Sequence, residues 1–306
     1  METQTETKLR KKSVTIIEQA IVEVKGFREL YQEFDDKVRI SGQSSSTLKN
    51  YARKVAQTCV HFGKLPQHIS EKELNKYLAE LTRQSKVPSF SNFKFTVYGL
   101  RYFFRLLGLD ERVVELPSIK HEKKLPVVLN YEECKALFSA PELLKHRVLL
   151  ALIYSAGLRV REASRLRLSD IDSGRMMIHI RQSKFDKDRY VPLSPMILEG
   201  LRKYCKVCRP VDYLFNGSKP STPLSERGIQ WVLREAAKKS KLQKGVSVHS
   251  LRHSYATHLL EFGMDIVSIK ELLGHGRIET TMIYLHVAKS TRINLFSPFD
   301  RLYKKV

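Results

Sequence analysis

The chain has 306 residues, 42% of them hydrophobic, and a formal net charge of +22 from 54 Lys and Arg against 32 Asp and Glu. That length allows one large or two ordinary domains; the longest apolar run, "VLLALIY" at 148–154, is too short to span a bilayer, and four cysteines do not make a disulfide framework. So large a positive surplus is costly in self-repulsion unless a polyanion neutralises it, which points to nucleic acid ahead of a ribosome-associated factor, an anionic membrane surface or a merely basic protein.

The opening residues, "METQTETKLRKKS", carry charge but no apolar signal region, and the default setting is a reducing cytoplasm. From residue 13 to 112 apolar positions recur at three-to-four spacing, the pattern of a helical domain. "SVTIIEQAIVEVKGFRELYQEF" reads as one helix capped by Ser13, and "SSSTLKNYARKVAQTCVHFGKL" as a second with Lys49, Arg53 and Lys54 on its polar face. "ISEKELNKYLAEL" opens with a capping box, Ser70 and Glu73. "SFSNFKFTVYGLRYFFRLLGL" is rich in aromatics, assigned mostly to the core, and ends at Gly108. Residues 113–130 break the periodicity with Pro117 and Pro126 around the basic run "KHEKK", which holds Lys123 and Lys124. They read as an interdomain linker, either part of a basic C-shaped clamp around a duplex or simply a solvated connection.

A second domain, 131–306, starts at Tyr131 with helices at "NYEECKALFSA" and "ELLKHRVLLALIYSAG", then "LRVREASRLRLSDID". The period switches to two in "RMMIHIRQ" and "DRYVPLS", paired strands across the turn "SKFDKD". Helices follow at "SERGIQWVLREAAKKS", "HSLRHSYATHLLEFG", "DIVSIKELLG" and "ETTMIYLHV". The fold class expected is mainly α, in two domains, with a small antiparallel β-sheet in the second. Cys205 and Cys208 form a Cys-x-x-Cys without two further ligands nearby in sequence, and read as free thiols near a helix end.

In "VHSLRHSYATHLL", His249 and His253 stand four apart, a spacing that offers two imidazoles to one metal. On a helix of about 3.6 residues per turn, however, His258 points nearly the opposite way, and the glutamate that a zinc protease needs is missing. No metal site is expected. Arg252 falls in the apolar arc with Leu251, Tyr255, Ala256, Leu259 and Leu260, so it faces inward and needs an anion, either a structural carboxylate or a bound phosphate. A second arginine, Arg159, follows a Gly-Leu turn with Glu162 three residues on, and two guanidinium forks on one phosphate match its geometry and charge. Lys184 and Lys187 on the hairpin turn are alternative proton donors; His275 and Tyr284 follow downstream.

Five blocks in this order, "AGLRVREA", "SKFDKDRYVPL", "HSLRHSYATHLL", "LLGHGRIETT" and "MIYLHV", resemble the tyrosine recombinases of the phage integrase family, including Xer recombinases and integron integrases. The resemblance covers nearly the whole chain, with residues 13–112 in the place of the family's helical, SAM-like core-binding domain. It implies that Arg159, Lys184, His249, Arg252 and His275 surround a scissile phosphate, with Tyr284 as nucleophile and Glu162 in support. Lys184 would protonate the departing 5′ oxygen, His249 would exchange the tyrosine proton, and His275 would hydrogen-bond the phosphate. Serine and phenylalanine flank Lys184 where relatives often carry glycine. Arg161 stands where relatives often have a small residue and reads as a DNA contact or a solvated side chain. His253 and His258 are assigned to packing and support.

The implied activity is site-specific cleavage and rejoining of double-stranded DNA through a 3′-phosphotyrosine, without metal, ATP or other cofactor. The partners implied are recombination sites in DNA and a homo-tetramer in which residues 293–306 dock in trans on a neighbouring protomer. The tail "SPFDRLY" resembles integron integrases, but too few residues separate Lys184 from His249 for their extra helical insertion. A mobile-element recombinase is therefore favoured, with dimer resolution as the alternative. A type IB topoisomerase and a non-catalytic DNA-binding regulator are the competing classes.

Overall fold

The structure, a computed structural model, describes residues 14–40, 45–83, 90–112, 125–181, 188–219 and 221–288. The chain divides into two compact units, Met1–His121 and Glu122–Val306.

In the first unit, helices α1 (Ile16–Glu23), α2 (Phe27–Ile40), α3 (Ser45–Phe62), α4 (Glu71–Arg83) and α5 (Phe90–Leu106) enclose a core that includes Phe27, Phe34, Val55, Cys59, Val97, Phe103 and Phe104. The single helix predicted over α1 and α2 is two, broken before Gly26, whose φ of +80° no helix accommodates. Ser13 lies outside the described residues. The observed cap is Thr15, which accepts from the Glu18 amide at 3.3 Å and donates its own amide to Glu18 Oε2 at 2.6 Å. The Ser70–Glu73 box forms as expected, the Ser70 amide donating to Glu73 Oε2 at 2.8 Å.

The second unit holds α6 (Tyr131–Ser139), α7 (Leu144–Ser155), α8 (Val160–Arg165), a three-stranded sheet, α9 (Pro195–Cys208), α10 (Glu226–Lys239), α11 (Val248–Glu261), α12 (Ile266–Leu273) and α13 (Glu279–Met282). Strands β1 (Ile171–Asp172), β2 (Met177–Ile180) and β3 (Arg189–Pro192) run antiparallel in that order, with Ile178 opposite Val191 and Ile180 opposite Arg189. Ile178, Ile180 and Val191 face the core, while His179 and Tyr190 stack outside it with ring centroids 4.6 Å apart. Helix α9 was expected only as a helix end beside Cys205 and Cys208, and the two-residue β1 has no counterpart among the predicted elements. Of the expected linker, residues 125–130 belong to this unit: Leu129 is buried and its amide donates to Ser254 Oγ at 2.8 Å, and Asn130 caps α6.

Helix α11 occupies the centre of this unit. It packs on α7, on α12 and on the 3-10 turn Ile283–His286, and is buried around most of its circumference. His258, which points away from His249 and His253 and was assigned to packing, is buried; its Nδ1 is 2.8 Å from the Tyr154 hydroxyl.

Candidate active site

Three chain segments converge near the N-terminal half of α11. The first runs from the end of α7 into α8. Gly157 follows α7 with φ +57°, and a Cβ there would stand 2.5 Å from Tyr255 Cδ1. The turn frees the chain to place Arg159 as the N-cap of α8, where its amide and Nη1 both bond the Glu162 carboxylate, at 2.8 and 2.7 Å. Glu162 is buried, and burial pushes its carboxyl up; the hydrogen bonds and charges of Arg189 and Arg159 outweigh that and hold it at about 2.

The second element is α11 itself. Arg252, 3% exposed, donates through Nη1 to the Gly157 carbonyl at 2.6 Å and through Nη2 to the Leu273 carbonyl. Its Nη1 stands 3.9 Å from Glu162 Oε2, beyond hydrogen-bonding distance. Burial first, then the neighbouring Arg159 guanidinium, lower its pKa to about 9, so it still carries its proton at neutral pH. Arg159 completes the approach from the other side, its Nη2 donating to the Gly274 carbonyl at 3.2 Å.

The third element brings His275 and Tyr284. Helix α12 is capped by Asp265 and ends at Gly274 with φ +61°, so His275 leaves the helix toward the site, its Nδ1 2.9 Å from Thr281 Oγ1. Burial, then Arg252, Arg159 and Arg189, depress its pKa to about 3, so it is neutral at pH 7. Tyr284 lies on the 3-10 turn after α13 and is 1% exposed. Burial raises its pKa, while Arg252 and Arg159 pull the other way.

The hydrogen-bond partner of the Tyr284 hydroxyl is His253, whose Nδ1 lies 3.1 Å away. This changes the reading of α11, because His253 was assigned to packing and His249 to the tyrosine proton. His249 is exposed, one turn earlier, with its ring centroid 6.5 Å from that of His253. Burial, His249 and Arg252 hold His253 at about 4, so it meets the phenol as a neutral imidazole. Burial and the two arginines lower His249 as well.

Arg159, Glu162, Arg252, His275 and Tyr284 thus come together, with His249 at the rim. Lys184, Lys187, Lys123 and Lys124 lie outside the described residues, as does 293–306. Arg161 is exposed on α8, and Lys49 and Arg53 are exposed on α3. Lys54 differs from expectation: its ammonium bonds Gln57 Oε1 at 2.7 Å and Asn92 Oδ1, so it ties α3 to α5 rather than projecting as a free phosphate contact. Cys205 is half-buried and Cys208 exposed, both free, and among the described residues no three His, Cys, Asp or Glu side chains are grouped as a metal site.

Sequence reasoning missed Arg189. It opens β3 opposite the buried Ile180 and grips Glu162 with two 2.8 Å bonds. An arginine at an inward-facing position of a strand was the available signal, since such a charge needs a buried partner.

The sequence profile of the phage integrase family matches residues 127–291, and that of the phage integrase N-terminal SAM-like domain matches residues 30–112. The y4qK protein of Sinorhizobium fredii is 36% identical over 275 residues, which cover 89% of each chain. A tyrosine recombinase of Thermosipho africanus is 33% identical over 278 residues, 87% of this chain and 96% of its own. Among solved structures, the lambda integrase tetramer bound to a Holliday junction shares the fold, with a TM-score of 0.67 at 19% identity over 87% of this chain and 80% of that one. Among the described residues no helix is long and apolar enough to cross a membrane.

Proposed function

The chain belongs to the phage integrase family and is a tyrosine-type site-specific recombinase, and from that premise we propose how its own residues carry the reaction. Arg159 and Arg252 hold the two non-bridging oxygens of a scissile phosphodiester. The Tyr284 oxygen attacks phosphorus in line, a 3′-phosphotyrosyl bond forms and the bond to the 5′ oxygen breaks. Lys184 donates the proton that the departing 5′ oxygen takes up. The tyrosine proton leaves to the α11 histidines, where His253 Nδ1 lies 3.1 Å from the hydroxyl and exposed His249 lies one turn away. His275, neutral and beside the arginines, is placed to donate to the phosphate. Bond energy is conserved in the phosphotyrosyl link, so attack by another strand's 5′ hydroxyl reverses the step and exchanges strands without a nucleotide cofactor.

The observation that carries this reading is a buried Arg252 with no carboxylate within hydrogen-bonding distance, in one site with Arg159 and a tyrosine whose hydroxyl lies 3.1 Å from His253 Nδ1. A free phenol ionises near pH 10, and positive charge at the phosphate is what favours the attacking oxygen over its protonated form. Removing one such preorganised donor typically costs about 10²–10³ in rate.

The substrate is double-stranded DNA carrying a recombination site, and the working assembly is a homo-tetramer on that DNA with residues 293–306 docked on a neighbouring protomer. Lys49, Arg53, Lys123, Lys124 and Arg161 contribute backbone contacts, and the biological role is integration, excision or transposition of a mobile element. The test uses nicked duplexes tiled across the DNA flanking the gene. Wild-type protein is expected to form an adduct that survives SDS, and Tyr284→Phe to form none; an adduct persisting in the variant would refute the assignment.

A further inference from the structure

The residues assigned to the reaction leave one guanidinium of the site without a role. Arg189 has a side chain 8% exposed, with Nη1 on Glu162 Oε1 and Nη2 on Glu162 Oε2, both at 2.8 Å, and Nε on the Leu272 carbonyl at 2.9 Å. This is a two-bond fork on a carboxylate, the geometry that fixes orientation as well as charge.

Glu162 poses a problem for a site built to hold phosphate. A buried carboxylate between two arginines is itself an anion in the place where the substrate's anion must sit. Left to itself it would take both guanidiniums, since an unpaired buried charge of either sign is costly. What prevents this is visible in the distances. Arg189 takes a bond on each oxygen of Glu162; Arg159 shares Oε1 through Nη1 at 2.7 Å and Oε2 through its amide at 2.8 Å; and Arg252 is left at 3.9 Å, bonded instead to backbone carbonyls. Three guanidiniums against one carboxylate leave two positive charges, and an attacking phenolate with a phosphodiester brings two negative ones.

We propose that Arg189 is a positioning residue of the recombination reaction, which by occupying both oxygens of Glu162 keeps that carboxylate off Arg252 and leaves the arginine pair open to the scissile phosphate. The inference rests on the assignment of Arg159 and Arg252 to the phosphate. It gives Glu162 a fixed station from which it orients Arg159 without competing for the second arginine. It also ties β3 to α8 and to the end of α12 through a single side chain.

The test is a two-variant comparison read on adduct formation with the same nicked duplex, alongside DNA affinity for that duplex. Arg189→Met is expected to slow adduct formation by about 10², the scale for loss of a preorganised donor, with affinity changed less than about threefold. Combining it with Glu162→Gln removes the unrestrained carboxylate, and the double variant is expected to run at least about tenfold faster than Arg189→Met alone, a sign that only mutual compensation produces. A double variant no faster than the single one would overturn the proposal, as would an Arg189→Met defect confined to affinity. Should Arg189→Met fail to fold by circular dichroism, Arg189→Lys with and without Glu162→Gln makes the same comparison, because lysine keeps the charge and loses the fork. Failure of the underlying reading looks different: wild type then forms no adduct, or Tyr284→Phe still does.

Discussion

Replacing Gly157 by alanine tests whether the turn after α7 is set by steric necessity. A Cβ at this position would lie 2.5 and 2.7 Å from Tyr255 Cδ1 and Cε1 and 3.1 Å from Leu273 Cδ2, and the backbone sits at φ +57°. Tyr255 cannot swing away freely, because it is 7% exposed and packed edge-on against Tyr154 at 6.5 Å. A non-glycine residue in the left-handed region costs about 1–2 kcal/mol, and overpacking a filled core about 1–3 more. The expected loss is therefore about 2–5 kcal/mol, a fall on the order of 10 °C in the melting transition of the second unit. Gly263→Ala separates the two contributions, since its φ is +90° but nothing lies within 4 Å of the added carbon. It should cost only the conformational part, about 1–2 kcal/mol. Calorimetry on both variants and wild type is the assay. Equal shifts for the two glycines would refute the packing argument. Because the Gly157 carbonyl receives Arg252 Nη1 at 2.6 Å, adduct formation should also slow in Gly157→Ala well below its melting temperature.

Acid should weaken the second unit through its histidines. His253 and His275 are held at about 4 and about 3 in the folded chain, below the usual 6.5, so the unfolded chain binds their protons first. Their contribution is present above pH 6.5 and is lost as pH falls from there through about 4 for His253 and about 3 for His275; urea midpoints at pH 7, 6 and 5 should decline, and substituting both by glutamine should flatten that decline. On the far side of α11, Tyr154→Phe deprives the buried His258 of its 2.8 Å partner and should cost about 1–3 kcal/mol in urea unfolding with adduct formation unchanged. An equal loss of adduct formation would show that this pair belongs to the site.

The type of most helices was readable because periodicity and caps are local: the Ser70–Glu73 box and the paired strands around the turn both formed. The break at Gly26 and the strand β1 were not, since a glycine within a periodic run and a two-residue strand leave almost no pattern. At the site, Arg159, Glu162 and Arg252 were legible from inward-facing charge and three-residue spacing. Arg189 and His253 were not, because their partners lie 27 and 31 positions away and only the tertiary fold brings them together.

The hydrogen bonds that hold the arginine pair have an electrostatic consequence. Leu273 and Gly274 stand at the C-terminal end of α12, and Gly157 lies two residues past the end of α7. Carbonyls at such ends lack intrahelical partners and carry the negative pole of the helix dipole, worth about half an elementary charge. Arg252 is thus anchored by the carbonyls of Gly157 and Leu273, with no carboxylate within hydrogen-bonding distance, and Arg159 by the Gly274 carbonyl as well as by Glu162. A dipole fixes a cation in place without cancelling it, so under the proposed mechanism the Arg252 charge remains available to a phosphate. Carbonyls at and just beyond two helix ends keep Arg252 buried and ordered with no carboxylate in hydrogen-bonding distance, which under the proposed mechanism leaves its charge for the phosphate of DNA.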